Sequence, residues 1–150
     1  MIVGVIGAGQ MGAGIAQVSA GAGHEVLLSD IDIARAEAGK AGIAKALGRL
    51  VAKDKMTQGD ADALLGRITP VADHAAFAPA ALVIEAATER EEIKRAIFAS
   101  VGAHLSDSAI LASNTSSIPI TRLAQAAPDP ARFIGVHFFN PVPVMGLIEL

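Results

Sequence analysis

Short runs of apolar residues alternate along the chain with longer segments in which apolar residues recur every three or four positions. The short runs are rich in Val, Ile and Leu, as buried strands are, and the longer segments have the spacing of amphipathic helices. The apolar runs predict strands over residues 2–6, 25–30, 68–71, 81–86, 109–113 and 132–138, and the start of another at residue 145. The intervening segments predict helices over residues 13–20, 33–51, 57–65, 89–105 and 119–126.

Two of these helices carry more detailed expectations. Thr57 and Asp60 resemble a capping box, with Asp in place of the usual Glu, so a short helix is expected to begin there. In the helix over residues 89–105, Ile93, Ile97 and Val101 are spaced four apart and are expected to face the core.

The order of the elements predicts an α/β fold. Strands that alternate with helices form a mostly parallel sheet covered on both faces, the doubly wound arrangement. The strand from residue 145 follows the one over residues 132–138 after a short turn without a helix, so it is expected to run antiparallel at that edge of the sheet. Because 150 residues suffice for one domain with a substantial core, we expect a single domain over residues 1–150.

Composition narrows the possible functions. The net charge of −3 and a charged fraction of 18% argue against a polyanion-binding surface, so no nucleic-acid partner is predicted. The chain has no cysteine, which excludes disulfides, thiolate metal sites and a cysteine nucleophile; it fits a cytoplasmic location, and no metal site is predicted. Residues 1–23 are uncharged, but glycines and glutamines interrupt them and no basic segment precedes them, so neither a membrane span nor a signal peptide is expected.

Residues 7–12 form a glycine-rich loop between the first predicted strand and the first predicted helix. Gly7 permits a tight turn, Gly9 leaves the backbone open to a pyrophosphate, and Gly12 lets the helix pack closely on the strand. Asp30 ends the second strand, about where a carboxylate binds the ribose hydroxyls of a dinucleotide. The loop therefore predicts a Rossmann-type dinucleotide site, the alternative being a glycine-rich turn in some other α/β protein.

A second candidate site lies near the end of the chain. His137 and Glu149 are symmetric about Pro143, so a hairpin centred there would place them opposite one another on the same face. A carboxylate beside an imidazole sets its tautomer and supports its charged form, as a histidine general base requires. The alternative is a structural histidine near an unrelated surface glutamate. The other histidines, His24, His74 and His104, have no such partner in the sequence pattern.

Four motifs together resemble the L-3-hydroxyacyl-CoA dehydrogenase family, and most of all its 3-hydroxybutyryl-CoA dehydrogenase branch. They are Gly7-Ala-Gly-Gln-Met-Gly12, Val83-Ile-Glu-Ala86 with Glu89, Ser113-Asn-Thr-Ser-Ser117, and His137-Phe-Phe-Asn-Pro-Val-Pro-Val-Met145 with Glu149. The resemblance implies an NAD-dependent enzyme that interconverts L-3-hydroxyacyl-CoA and 3-ketoacyl-CoA by hydride transfer. It also implies a helical second domain, absent here, through which the family forms homodimers. Residues 1–150 are then expected to be the NAD-binding domain, truncated at its C-terminal end.

The resemblance also implies a role for individual residues. His137 would be the general base and Glu149 its carboxylate partner, while Ser116 and Asn140 would contact the substrate oxygens and the nicotinamide side. The residues implied for the rest of NAD are Gly7, Ala8, Gly9, Gln10, Met11, Gly12 and Asp30 at the adenosine diphosphate half, with Glu89 and Lys94 nearer the nicotinamide.

The basic residues at the end of the second predicted helix have two interpretations. From the pattern alone, Arg49, Lys53 and Lys55 form a solvated basic end of the second helix, whereas the resemblance places Lys53 near the CoA phosphates. The chain departs from common family residues at Ala46, Arg90 and Gly146. Two other functions stay open: a related hydroxy-acid dehydrogenase, such as the lambda-crystallin-like gulonate dehydrogenases, and an NAD-binding module without turnover.

Overall fold

A six-stranded parallel sheet forms the centre of the computed structural model, which describes residues 1–150. Its strands lie in the order β3-β2-β1-β4-β5-β6, and every neighbouring pair is parallel. This confirms the predicted doubly wound fold. The strands are β1 (Ile2–Ile6), β2 (Glu25–Ser29), β3 (Ile68–Pro70), β4 (Leu82–Glu85), β5 (Ile110–Ser113) and β6 (Phe133–Gly135).

Five α-helices connect the strands, and two of them have side-chain caps that explain where they begin. The Asp32 carboxylate accepts a hydrogen bond from the backbone N–H of Arg35 at 2.8 Å, and the Thr57 hydroxyl accepts one from Asp60 at 3.1 Å. None of the helices combines the length and apolar character needed to cross a membrane. The helices are α1 (Gln10–Gly21), α2 (Ile33–Ala52), α3 (Gln58–Gly66), α4 (Glu91–Gly102) and α5 (Ile120–Ala124), with 3₁₀ turns at His74–Phe77 and Pro130–Arg132.

The sheet is covered on both faces, so its strands are apolar on both. On one face Val3 and Val5 of β1 pack with buried residues of α1, α2 and α3, including Ile15 and Leu47. On the other face Ile6 belongs to a smaller cluster with residues of α4, α5 and the 74–77 turn. Burial on both faces is the reason that the strands read as nearly continuous apolar runs.

The end of the chain differs from the prediction. The segment over residues 132–138 is not one strand, because it divides at Val136 into β6 and a short strand β7 (His137–Phe138). β7 pairs with β8 (Ile148–Glu149) in a separate two-stranded sheet. The predicted antiparallel direction of the last strand is confirmed, but its place at the edge of the main sheet is wrong. Backbone pairing with β5 ends at Val136 N–H, which donates to the carbonyl of Ser113 at 2.9 Å.

Helix α4 also differs over its first turns, where the buried positions lie one residue later than predicted, although Val101 is buried as predicted. Ile93 is 36% exposed and Ile97 is only half-buried, whereas Lys94, Phe98 and Val101 are buried. The expectation that Ile93 faces the core is therefore wrong. Lys94 can occupy that face because its ammonium group donates hydrogen bonds to two buried side chains, Glu85 of β4 and Ser113 of β5.

Candidate functional site

The glycine-rich loop joins β1 to α1 at the carboxyl edge of the sheet, where ligands of doubly wound folds bind. Gly7 has φ +104°, a conformation that favours glycine. A Cβ added at Gly12 would overlap the carbonyl oxygen of Gly7, whereas one at Gly9 would meet no atom within 4 Å. The loop is therefore closely packed at its two ends and open at Gly9, in front of the free N–H groups of α1.

Asp30 connects the loop to the end of β2. Its Oδ2 accepts a hydrogen bond from Ala8 N–H and its Oδ1 accepts one from Ile31 N–H, each at 2.7 Å. Each carboxylate oxygen can accept a further hydrogen bond, so the carboxylate retains capacity for ligand hydroxyl groups. The contact with Ala8 was not anticipated, since sequence spacing alone does not show that Asp30 also holds the loop.

A cleft of about 730 Å³ runs beside the loop. Its lining residues include Asp30 after β2, Arg35 and Arg49 of α2, and Asn140 with the 141–143 turn. That turn packs directly on α1, because a Cβ added at Gly14 would lie 2.8 Å from Cβ of Val142. Gly14 was missed in the sequence, where nothing indicates that another segment approaches it. The cleft has the glycines, carboxylate and helix terminus that fit the adenosine diphosphate half of a dinucleotide.

A second, smaller cleft of about 180 Å³ lies over the ends of β4 and β5. Met11, Glu89, Lys94 and Asn114 are among its lining residues. The strand order reverses between β1 and β4, and dinucleotides bind across such a reversal. The two clefts therefore lie where the two halves of one dinucleotide fit.

Lys94 is engaged within the protein rather than exposed at this cleft. Its Nζ lies 2.6 Å from Oε2 of Glu85 and 3.7 Å from Oε1 of Glu89, and it donates to the Ser113 hydroxyl at 3.3 Å. Glu89 is more accessible, with a side chain that is 46% exposed. Its other oxygen accepts hydrogen bonds from the hydroxyls of Thr115 and Ser117. Cofactor contacts by Glu89 and Lys94 stay predictions.

His137 and Glu149 are opposite one another in the β7–β8 pair, as the hairpin symmetry predicts. His137 Nδ1 lies 3.0 Å from Oε2 of Glu149, and the two side chains are 28% and 64% exposed. In the neutral imidazole, a proton on Nδ1 donated to the carboxylate leaves Nε2 as an acceptor. Both residues line a cleft of about 330 Å³ together with Ser116. With Nε2 as an acceptor, His137 can take a proton from a ligand in this cleft, which also contains the Ser116 hydroxyl.

The remaining predicted site residues lie apart from this cleft. Asn140 lines the cleft beside the glycine-rich loop, and Lys53 is exposed at the C-cap of α2. Arg49 lies one turn before Lys53; it is exposed, as the sequence pattern predicts, and it also lines the glycine-loop cleft. Glu85 was missed as a structural centre; its only signal was an acidic residue in an otherwise apolar strand.

The family model of the 3-hydroxyacyl-CoA dehydrogenase NAD binding domain matches residues 2–150. The chain is 49% identical over 150 residues to a probable 3-hydroxybutyryl-CoA dehydrogenase from Deinococcus radiodurans, covering 100% of the chain and 54% of that relative. It is 51% identical over 148 residues to a 3-hydroxybutyryl-CoA dehydrogenase from Bradyrhizobium diazoefficiens, covering 99% of the chain and 50% of that relative. The chain thus spans about half the length of the curated relatives it matches.

A solved structure agrees with these relatives. The crystal structure of (S)-3-hydroxybutyryl-CoA dehydrogenase from Ralstonia eutropha superposes with a TM-score of 0.96 at 44% identity, covering 99% of this chain and 52% of that one. The relatives therefore contain a further part beyond the region that matches residues 1–150. The resemblance inferred from the motifs is confirmed, and the chain belongs to the NAD-binding domain family of the 3-hydroxyacyl-CoA dehydrogenases.

Proposed function

We propose that residues 1–150 are the NAD-binding domain of an enzyme that interconverts L-3-hydroxyacyl-CoA, such as 3-hydroxybutyryl-CoA, and 3-ketoacyl-CoA. The observation that carries this proposal is the His137–Glu149 pair, with Nδ1 and Oε2 3.0 Å apart, in one cleft with Ser116. The family and its 3-hydroxybutyryl-CoA dehydrogenase members support the substrate class.

The chain's residues divide the binding of NAD between two clefts. The loop from Gly7 to Gly12 and the N-terminus of α1 receive the pyrophosphate, and Asp30 accepts hydrogen bonds from the adenosine ribose. Met11, Glu89 and Lys94 lie toward the other half of the cofactor, over β4. When bound, NAD supplies the acceptor for the hydride that leaves substrate C3.

The remaining residues handle the substrate proton and oxygen atoms. Nε2 of His137 takes the proton of the 3-hydroxyl group, and Glu149 stabilises the imidazolium that forms. The Ser116 hydroxyl, in the cleft of His137, holds the substrate oxygen, because a donor aimed at that oxygen favours the reacting geometry. Asn140, which lines the glycine-loop cleft, lies on the cofactor side of the reacting groups. Lys53, at the end of α2, supplies positive charge for the CoA phosphates.

The wider assembly forms part of the same proposal. The additional half of the relatives contributes a second domain that closes over the acyl-CoA and makes a homodimer, and the enzyme works in the cytoplasm. Without that domain the base acts in a wet, high-dielectric cleft, where its contacts are weaker. This chain alone is therefore expected to bind NAD weakly and to turn over little acyl-CoA.

The test compares this chain with a longer one that adds the second half of the relatives. Calorimetry measures NAD binding by both, and the loss of NADH absorbance measures reduction of acetoacetyl-CoA, with free acetoacetate as the control substrate. We expect NAD binding by both chains, and rapid turnover of the CoA ester by the longer one only. Failure of the longer chain to reduce acetoacetyl-CoA, or comparable turnover of acetoacetate, would overturn the proposed activity.

A further inference from the structure

The strand that carries His137 is attached to the main sheet by a side chain rather than by continued backbone pairing. Val136 N–H donates to the carbonyl of Ser113 at 2.9 Å, which is the last backbone bond between β5 and this segment. In a regular parallel ladder the next donor on that edge, Phe138 N–H, would meet the carbonyl of residue 115. It instead donates to Oδ1 of Asn114 at 2.8 Å.

A side chain takes the place of a backbone carbonyl here because of the course of β5. The strand ends at Ser113, although the backbone N–H of Asn114 still donates to the carbonyl of Glu85 at 2.8 Å. Beyond Asn114 the chain turns away, and the hydroxyls of Thr115 and Ser117 bind Glu89. No strand carbonyl of β5 remains in position for Phe138, and the Asn114 side chain provides the missing acceptor.

We propose that Asn114 is the positioning residue for His137. The backbone on either side of His137 is fixed to the end of β5, at Val136 through Ser113 and at Phe138 through Asn114. On its other side β7 pairs only with the two-residue strand β8. Loss of the Asn114 acceptor therefore frees one end of β7 and lets the imidazole move relative to Glu149.

The proposal deepens the proposed function, since His137 is the base in that reaction, but its test does not depend on turnover. Asn114→Leu removes the acceptor at similar volume, and Asn114→Asp keeps an oxygen in its place. Asp129→Ala is the matched control, because Asp129 Oδ1 also accepts a backbone N–H, that of Ala131 at 2.9 Å, in the turn before β6. That control removes a bond of the same kind without touching β7.

The measurement is the imidazole tautomer of His137, read from long-range ¹H–¹⁵N spectra at alkaline pH and assigned by its loss in His137→Gln. We expect the Nδ1-protonated tautomer in the unsubstituted chain, in Asn114→Asp and in Asp129→Ala, because Glu149 accepts that proton. In Asn114→Leu the population is expected to move to the Nε2-protonated tautomer. A general loss of stability would reduce the number of folded molecules but would not change the tautomer of His137 within them. Retention of the Nδ1 tautomer in Asn114→Leu would overturn the proposal.

Two further measurements keep the test decisive. If Asn114→Leu does not fold, amide exchange in the unsubstituted chain decides: protection of Phe138 N–H comparable to that of Val136 supports the proposal, and exchange at the rate of exposed amides overturns it. In the longer, active chain, Asn114→Leu is expected to lower kcat by up to about 10²-fold. If no variant of that chain turns over, the proposed function fails while the tautomer still tests Asn114.

Discussion

The ammonium group of Lys94 lies 2.6 Å from the Glu85 carboxylate, and these side chains are 1% and 0% exposed. The same carboxylate accepts hydrogen bonds from the Ser113 hydroxyl and from the backbone N–H of Ala87, each at 2.8 Å. Removing two charges from water is unfavourable unless their remaining donors and acceptors are satisfied. Here Glu85 connects β4, β5 and α4 at the edge where the clefts open, so the pair sets the shape of that edge.

Removing one partner of this ion pair should therefore lower the stability of the fold strongly, and removing both charges should lower it less. Lys94→Met leaves Glu85 buried without its cation and is expected to lower the free energy of unfolding by about 3–5 kcal/mol. The double variant Glu85→Gln/Lys94→Met is expected to lose less than the sum of the two single losses. Urea denaturation measures all three.

The control for this experiment is Arg90→Ala. It breaks the Arg90–Glu92 pair, whose side chains are 68% and 67% exposed, and should change stability very little. Equal losses in Lys94→Met and Arg90→Ala would contradict the buried pair, as would strict additivity of the Glu85 and Lys94 substitutions.

Asp30 is expected to determine the choice of cofactor. Its carboxylate accepts the ribose 2′-hydroxyl of NAD but repels a 2′-phosphate, so NAD should bind far more tightly than NADP. The amide oxygen of Asn at this position can still accept the hydrogen bond from Ala8 N–H, but the side chain carries no charge. Asp30→Asn should therefore narrow the preference by at least about tenfold, or ~1.4 kcal/mol, in titration calorimetry.

The nearby acid Asp32 provides a matched control. It caps α2 through the N–H of Arg35, and Asp32→Asn keeps a good cap while removing one negative charge. This variant should retain the NAD preference. Similar affinities for NAD and NADP in the unsubstituted chain would show that Asp30 does not select the cofactor.

His137 and Glu149 are expected to act as a unit in the complete enzyme. His137→Gln should reduce kcat by roughly 10²–10⁴-fold, the scale of a lost general base, with NAD binding retained. Glu149→Gln should also lower kcat, because the imidazole loses its partner at Nδ1. The double variant should lose less than the product of the single effects, since either substitution already disables the pair. Glu25→Gln, at an exposed residue that begins β2, is the control.

Multiplicative losses in steady-state kinetics would show that the two residues act independently. The 3.0 Å contact would then be a structural feature without a catalytic role.

The parts of the fold that could be predicted are those that local patterns determine. All six parallel strands coincide with apolar runs, because strands buried on both faces need apolar residues at nearly every position. The 137–149 register was also predictable, since equal spacing about the turn and a period of two fix which residues pair.

The parts that could not be predicted depend on distant polar partners. Helical spacing favours Ile93 over Lys94 for the core, and only Glu85, nine positions earlier, makes burial of that lysine possible. The attachment of β7 to the end of β5 likewise depends on the side chain of Asn114, 24 positions before Phe138. Neither contact leaves a periodic signal in the sequence.

The stability of the folded chain is expected to depend on pH through His74. Burial of the imidazole lowers the pKa of His74, repulsion by His104 lowers it further, and Asp73 opposes both. Between the ordinary imidazole pKa and this lower value, the unfolded chain binds more protons than the folded one. The contribution of His74 to stability is therefore present above the ordinary pKa and falls as the pH decreases through that window.

Two variants separate the causes of this dependence. His74→Asn should remove it, so that the stability of the variant relative to the unsubstituted chain improves as the pH falls from about 8 to about 5. His104→Asn removes only the repulsion, so the dependence should become smaller without disappearing, because burial is the larger cause. Urea denaturation across this range measures both. If the difference in stability between His74→Asn and the unsubstituted chain stays constant with pH, the folded imidazole keeps its ordinary pKa. If the pH dependence disappears in His104→Asn, the pKa shift is caused by charge rather than by burial.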